Sequence, residues 1–155
     1  MIVIGIDPDS DKHGVAIYEN NKLTSLSMMT IVDFFDLLQF TWSGEKLYSN
    51  IIISIEDVCA SNAVFVKPKL SYSGKDLAEV KARSRKLGKC QQSQIELEEL
   101  FQWYGIKVIK HKISKAWKKD KALFEKVTGW KGRSNEDTRS AAYFGYLGLN
   151  KSLNT

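Results

Sequence analysis

No run of 18 consecutive apolar residues occurs in this chain, so no membrane-spanning helix is expected. The first residues reach Asp7 without the basic region and apolar core of a secretory leader, and the expected location is the cytoplasm. Cysteine is scarce. Cys59 and Cys90 lack the spacing and companions of a metal knuckle and read as reduced thiols used in packing. Histidine is equally scarce: His13 and His111 are too few and too far apart to argue for a metal or base role, and His111, between Lys110 and Lys112, reads as part of a wet basic edge. A glycine-rich phosphate turn is also missing after the first apolar run, where Pro8 and Asp9 stand instead. That absence, with 155 residues too few for two lobes, excludes an actin-like or sugar-kinase ATP-binding fold. No internal repeat or low-complexity tract is seen.

What remains is a chain long enough to bury a core in one domain, 1–155, with an ordinary 43% hydrophobic content. Its net charge of +5 is unevenly spread. Nine lysines fall between Lys107 and Lys131 (107, 110, 112, 115, 118, 119, 121, 126 and 131), opposed only by Asp120 and Glu125. A second cluster, Lys81, Arg83, Arg85, Lys86 and Lys89, precedes them. Charge runs by themselves usually mean solvated faces. Two such clusters, with the carboxylates elsewhere, point to a polyanion partner, and nucleic acid is the expectation.

Ile2, Val3, Ile4 and Ile6 form an apolar run too short for a helix, which predicts a strand buried on both faces and ended by Asp7. Gly14 opens a second strand, Val15 to Tyr18, and Asn20-Asn21 turns it back into a third, Leu23 to Met28. Thr30 and Asp33 are placed to cap an amphipathic helix running to Phe40. Gly44 and Asn50 bracket a loop before Ile51-Ile-Ile-Ser-Ile55, a β-branched interior strand stopped by Glu56 and Asp57. No clear period holds from Val58 to Leu87, which predicts a long loop with at most a short helical piece. Phe65 and Tyr72 in it either plug the core edge or stack on a splayed base. Leu87 to Tyr104 reads as a helix stopped by Gly105, and Ile106 to Ile109 as a strand. Ser114 is expected to cap a basic helix through Trp117, Leu123, Phe124 and Val127, with a last helix starting near Ser134. The predicted fold class is α/β, a mixed sheet flanked by helices.

Carboxylates at the ends of buried strands are costly without partners. Asp7 and Glu56 end two strands expected to be adjacent, and a divalent ion relieves their repulsion. Asp137, in the first turn of the last helix, can supply a third ligand. Two ions about 4 Å apart would clamp the attacking and leaving oxygens of a phosphodiester, so the reaction class is metal-assisted phosphoryl transfer to water. Each acid also has a plain structural reading: a turn residue for Asp7, a loop start for Glu56, and for Asp137 the acid of a Ser134-x-x-Asp137 capping box. Three such acids on separate elements beside a basic surface favour the catalytic reading.

Ile4-Gly5-Ile6-Asp7-Pro8, Gly14-Val15-Ala16, Ile55-Glu56, Leu87-Gly88 with Ile95, and Asn135-Glu136-Asp137-Thr138-Arg139-Ser140-Ala141-Ala142 together resemble, in order and spacing, a RuvC-type Holliday junction resolvase of the phage or bacterial kind. The resemblance implies a ribonuclease H-like fold with a five-stranded mixed sheet, a Mg2+ or Mn2+ requirement, and a homodimer that nicks opposed strands of a four-way DNA junction. It implies four catalytic positions, which fall on Asp7, Glu56, Asp137 and Ser140, with Asp7, Glu56 and Asp137 as metal ligands. Ser140 departs from the pattern, being neutral where a carboxylate is expected. Glu136 reaching in, a natural three-acid site, and an aspartate replaced so as to disable the enzyme all account for it; the third is preferred. The aromatic wedge expected just after Glu56 falls near Cys59, which leaves Phe65 as its candidate. Lys81, Arg83, Arg85, Lys86, Lys89, Lys110, Lys112, Lys115, Lys118, Lys119 and Lys121 are expected to hold DNA arms through phosphates. A branched-DNA-binding protein of the same fold that does not cut is the alternative.

Overall fold

The computed structural model describes residues 1–41, 48–60 and 73–152, so Phe65 and Tyr72 lie outside the described residues. Five strands form one sheet in the order β3-β2-β1-β4-β5: β1 Ile2–Asp7, β2 His13–Glu19, β3 Lys22–Met29, β4 Ile51–Glu56 and β5 Lys107–His111. β1, β2 and β3 are antiparallel neighbours, while β4 and β5 run parallel to β1. The two-residue turn between β2 and β3 is made by Asn20 and Asn21 at φ 49° and 65°, the left-handed pair that a tight hairpin needs and asparagine tolerates.

Successive residues of β1 face opposite layers. Ile4 and Ile6 pack with Val15, Ile53, Ile55, Phe34, Leu97 and Phe101 on one side, beneath helices α1 (Ile31–Asp36) and α2 (Gly74–Trp103). Val3 packs with Ala16, Tyr18, Trp117, Phe124, Ala141 and Ala142 on the other, beneath α3 (Lys121–Thr128) and α4 (Glu136–Ser152). Gly5, between them, has α4 pressed onto it. A Cβ there would lie 2.0 Å from the Ala141 carbonyl oxygen, so only glycine admits the helix at this depth.

Two helix starts and one cap differ from expectation. α2 begins at Gly74, not Leu87, with Ser73 and Asp76 forming a capping box. Its buried residues, Cys90, Gln94, Leu97 and Phe101, all lie in the second half, so the first half has no core face and leaves no period in the sequence. Ser114 starts no helix; its hydroxyl accepts the Ala116 N–H at 3.1 Å, and Asp120 caps α3 instead. α4 is capped by Asn135, whose side chain accepts the Thr138 N–H at 2.8 Å while Thr138 Oγ1 accepts the Asn135 N–H at 2.9 Å. The Ser134–Asp137 box is therefore not formed, and Asp137 is left for other work.

Candidate functional site

Parallel pairing of β1 with β4 sets Ile6 opposite Ile55, so Asp7 and Glu56 end neighbouring strands at the same level. Both are buried, at 3% and 6% exposure, and they share a side-chain hydrogen bond. Two like charges in contact oppose the ionisation of both. Burial first, then the charge of Asp7 and the hydrogen bond to it, push the Glu56 carboxyl up to about 8, against the opposing pull of the Ser114 N–H and Lys118. That N–H is donated to Glu56 Oε1 at 3.1 Å.

Asp7 also pairs across β2 with Gly14, and a Cβ at Gly14 would lie 2.3 Å from the Asp137 carbonyl oxygen. The first turn of α4 thus rests on the strand pair that carries Asp7. The Lys118 ammonium lies between the two acids, 2.9 Å from Asp7 Oδ2 and 3.6 Å from Asp137 Oδ1. Burial works against its charge, but Asp7, Asp137 and Glu56 outweigh that and hold its pKa above the ordinary lysine value. Asp7, Glu56 and Asp137 therefore belong to one cluster, with Asp137 joined through the lysine. Among the described residues, no three carboxylate, thiol or imidazole groups stand close enough to hold a metal ion as they are.

Lys118 differs from the other expected phosphate contacts in being turned inward. Its backbone is held there by Arg139, a residue the sequence reading left without a role. Arg139 is 8% exposed, and its guanidinium donates from Nε to the Trp117 carbonyl at 3.1 Å and from Nη2 to the Lys118 carbonyl at 2.6 Å. Trp117 sits at φ 61°, a left-handed backbone unusual for a bulky residue, with its ring against Phe124, Tyr143 and Tyr146. The signal for Arg139 was a lone arginine next to Asp137, which spacing alone does not separate from a surface charge.

Ser140, one turn along α4 from Asp137, is fully buried, and its hydroxyl has no hydrogen-bond partner among the described residues. Glu136 is exposed. The basic residues of the first cluster, Lys81, Arg83, Arg85, Lys86 and Lys89, are all exposed on α2. Lys86 comes within 3.7 Å of Asp9 Oδ1, which brings that helix to the mouth of the β1–β2 hairpin beside the acids. Lys112, Lys115 and Lys119 are exposed after β5. Lys110 and Lys121 are exposed too, with partners in Glu98 and Glu125, each at 3.5 Å, and Arg83 pairs with Glu79.

His111 overturns its expected place on a wet edge. It ends β5 at 7% exposure, stacked on Phe144, with Nε2 2.7 Å from Ser54 Oγ. The Ser54 hydroxyl donates to the Phe144 carbonyl at 2.6 Å, so its one hydrogen is used and His111 Nε2 must carry the proton it shares. Burial first, with Lys151 nearby, lowers its pKa and keeps the ring neutral. His13 is likewise buried, with Nδ1 accepting the Asp9 N–H at 3.2 Å, and burial lowers its pKa as well. Cys90 packs beside Asp9, its thiol pushed up to about 11 by burial and that carboxylate, which fits an inert packing thiol.

The acid donors suit a hard divalent cation: two adjacent buried carboxylates and a third across an ammonium. No family model and no curated protein matches the sequence. Among solved structures, the chain superimposes on T. thermophilus RuvC in complex with a Holliday junction substrate with a TM-score of 0.60 and 12% identity, covering 100% of this chain and 97% of that one. A second Thermus thermophilus RuvC structure matches with a TM-score of 0.56 and 12% identity, covering 100% and 98%. Along its whole length the chain therefore has the ribonuclease H-like fold of RuvC.

Proposed function

We propose that this chain is a structure-selective endodeoxyribonuclease that resolves four-way DNA junctions by metal-dependent hydrolysis, acting as a homodimer. The observation that carries the reading is the meeting of Asp7, Glu56 and Asp137, from three separate elements, at one end of the sheet beside two basic segments. The RuvC structure of the same fold holds a Holliday junction substrate. A junction has approximate two-fold symmetry, so a two-fold dimer would present equivalent sites to opposed strands.

Asp7, Glu56 and Asp137 would hold Mg2+ or Mn2+, which when bound polarises the scissile phosphate and activates water. Glu56, whose carboxyl is raised by burial and by Asp7, would have to be ionised to hold the ion. Lys118, held between Asp7 and Asp137 with its backbone fixed by Arg139, would offer its ammonium to a phosphate that reaches these acids. The exposed cations of α2 and of the segment after β5 contact phosphates and orient the arms without reading sequence.

The test is a nicking assay on an end-labelled four-way junction with Mg2+ or Mn2+. Paired nicks on opposed strands are expected, lost on chelation and in Asp7→Asn. Absence of cleavage with retained junction binding would establish the second reading, a non-cleaving branched-DNA-binding protein, which the neutral Ser140 favours. Exposure of Glu136 weakens its case as the fourth ligand. Ser140→Asp then separates the two remaining accounts. A large gain in nicking marks a disabled site, while an unchanged rate marks a natural three-acid site.

A further inference from the structure

We propose that the segment joining α3 to α4, Gly129 to Asn135, is a strand-binding loop in which Lys131 and Arg133 hold neighbouring phosphates of the DNA strand that meets the acids. The inference deepens the nuclease reading by naming what grips that strand, and rests on it.

The loop is built around one indole. Gly129 ends α3 in the left-handed region at φ 71°, and the Trp130 N–H donates back to Thr128 Oγ1 at 3.2 Å. The Trp130 ring packs on the layer of Val3, Ala16, Phe124 and Ala141, and its Nε1–H donates forward to the Arg133 carbonyl at 3.2 Å. Gly132 lies against the same ring, which a Cβ there would approach to 3.0 Å. At the far end, Arg139 Nη1 donates to the Ser134 carbonyl at 3.5 Å and to its hydroxyl at 3.4 Å, just before Asn135 caps α4. Trp130 is therefore a brace, and the backbone that carries its two basic neighbours is tied down before any ligand arrives. Such a loop binds without the ordering cost that a free one meets.

Two cations are left over. Lys131 and Arg133 are exposed, and among the described residues neither has a carboxylate partner, whereas Arg83, Lys86, Lys110 and Lys121 each have one. Their charge is free for phosphate oxygens, which a guanidinium can bind in two-pronged fashion. Two positions apart, their Cα atoms are separated by at most about 7 Å, so they serve one strand and not two separate arms. Arg139 ties the loop to the site, because the guanidinium that holds Ser134 also holds the Trp117 and Lys118 carbonyls. The loop belongs to the α3–α4 layer, and the cations of α2 to the opposite one. A strand crossing the acids thus meets positive charge from both sides of the sheet.

The experiment measures where the loop touches DNA, with no dependence on cleavage. Full-length protein is titrated onto a fluorescein-labelled four-way junction in EDTA, anisotropy is followed across salt concentrations, and thermal melting checks folding. Replacing both residues, Lys131→Ala with Arg133→Ala, should make the slope of log affinity against log salt shallower by about two. Lys131→Arg should keep the slope, as should Lys22→Ala, an exposed lysine at the β2–β3 turn. A second arm scans neutral methylphosphonates through the strand around the exchange point. At one pair of adjacent positions each should weaken wild type by about tenfold near 50 mM salt and leave the double variant unaffected. An unchanged slope in the double variant, or methylphosphonate losses that are the same in both proteins at every position, would overturn this inference and leave the nuclease reading standing. Wild type that shows the expected slope and scan but never nicks with Mg2+ or Mn2+ would sink the nuclease reading and keep the loop. Failure of wild type to bind the junction would overturn both.

Discussion

Glu56 and Ser54 stand two residues apart on β4 and face different problems. Glu56 ends the strand against Asp7, and its carboxyl is raised above the ordinary value of 4.5 to about 8. A carboxyl bound more tightly to its proton in the folded state contributes stability that is complete below the unfolded value and lost as pH rises through the folded one. His13 and His111, lowered from 6.5, act in the opposite sense below that pH. Metal-free protein should therefore lose melting temperature between about pH 6.5 and 8, and Glu56→Gln should flatten that slope when Tm is measured across it. Ser54 joins the His111 ring to the Phe144 carbonyl inside the protein. Ser54→Ala leaves the buried His111 Nε2–H without its partner and should cost about 1–3 kcal/mol in chemical denaturation. Neither role was legible from composition: His111 lies between two lysines in sequence, and only strand alternation turns its side chain inward while its neighbours face solvent.

At the level of elements, the site depends on how closely α4 lies on the sheet. Gly5 and Gly14 are the two points of nearest approach, facing the Ala141 and Asp137 carbonyls. Gly5→Ala has no flexible side chain to push aside, only helix backbone. It should destabilise by about 1–3 kcal/mol or more and should weaken Mn2+ binding, because Asp137 moves away from Asp7; calorimetry of ion binding beside a denaturation curve reads both. Arg139 links α4 to the turn before α3 through its guanidinium fork. A lysine offers a point charge and cannot reach both carbonyls. Arg139→Lys should lose about 2 kcal/mol of stability and shift the pH profile of nicking, whereas a purely structural arginine would move stability alone. The helix boundaries were less legible than the strands. Ile51–Ile55 announces itself by β-branching, whereas the first half of α2 buries no residue and so carries no hydrophobic period.

For the molecule as a whole, charge distribution makes a prediction independent of catalysis. Lys81, Arg83, Arg85, Lys86 and Lys89 line exposed positions of α2, and Lys112, Lys115 and Lys119 those after β5. If they hold phosphates, junction affinity should fall steeply with salt, by about 10³-fold or more between 50 and 200 mM for a contact set of six or more. Charge reversal at Lys86 and Lys89 should reduce the slope of log affinity against log salt, as measured by fluorescence anisotropy. Lys118, turned inward, should contribute little to that slope.

The sequence by itself determined the strands, the carboxylates that end them and the basic surface, because buried β-branched runs and clustered charges leave local signatures. It also pointed to Asp7, Glu56 and Asp137 as a set. What only the tertiary structure decided is how these groups meet. Parallel pairing sets Asp7 level with Glu56, an asparagine cap frees Asp137, and a left-handed turn clamped by Arg139 delivers Lys118 between them. Each of these joins residues from different elements, and contact between distant segments is fixed by packing, which no local pattern of side chains records.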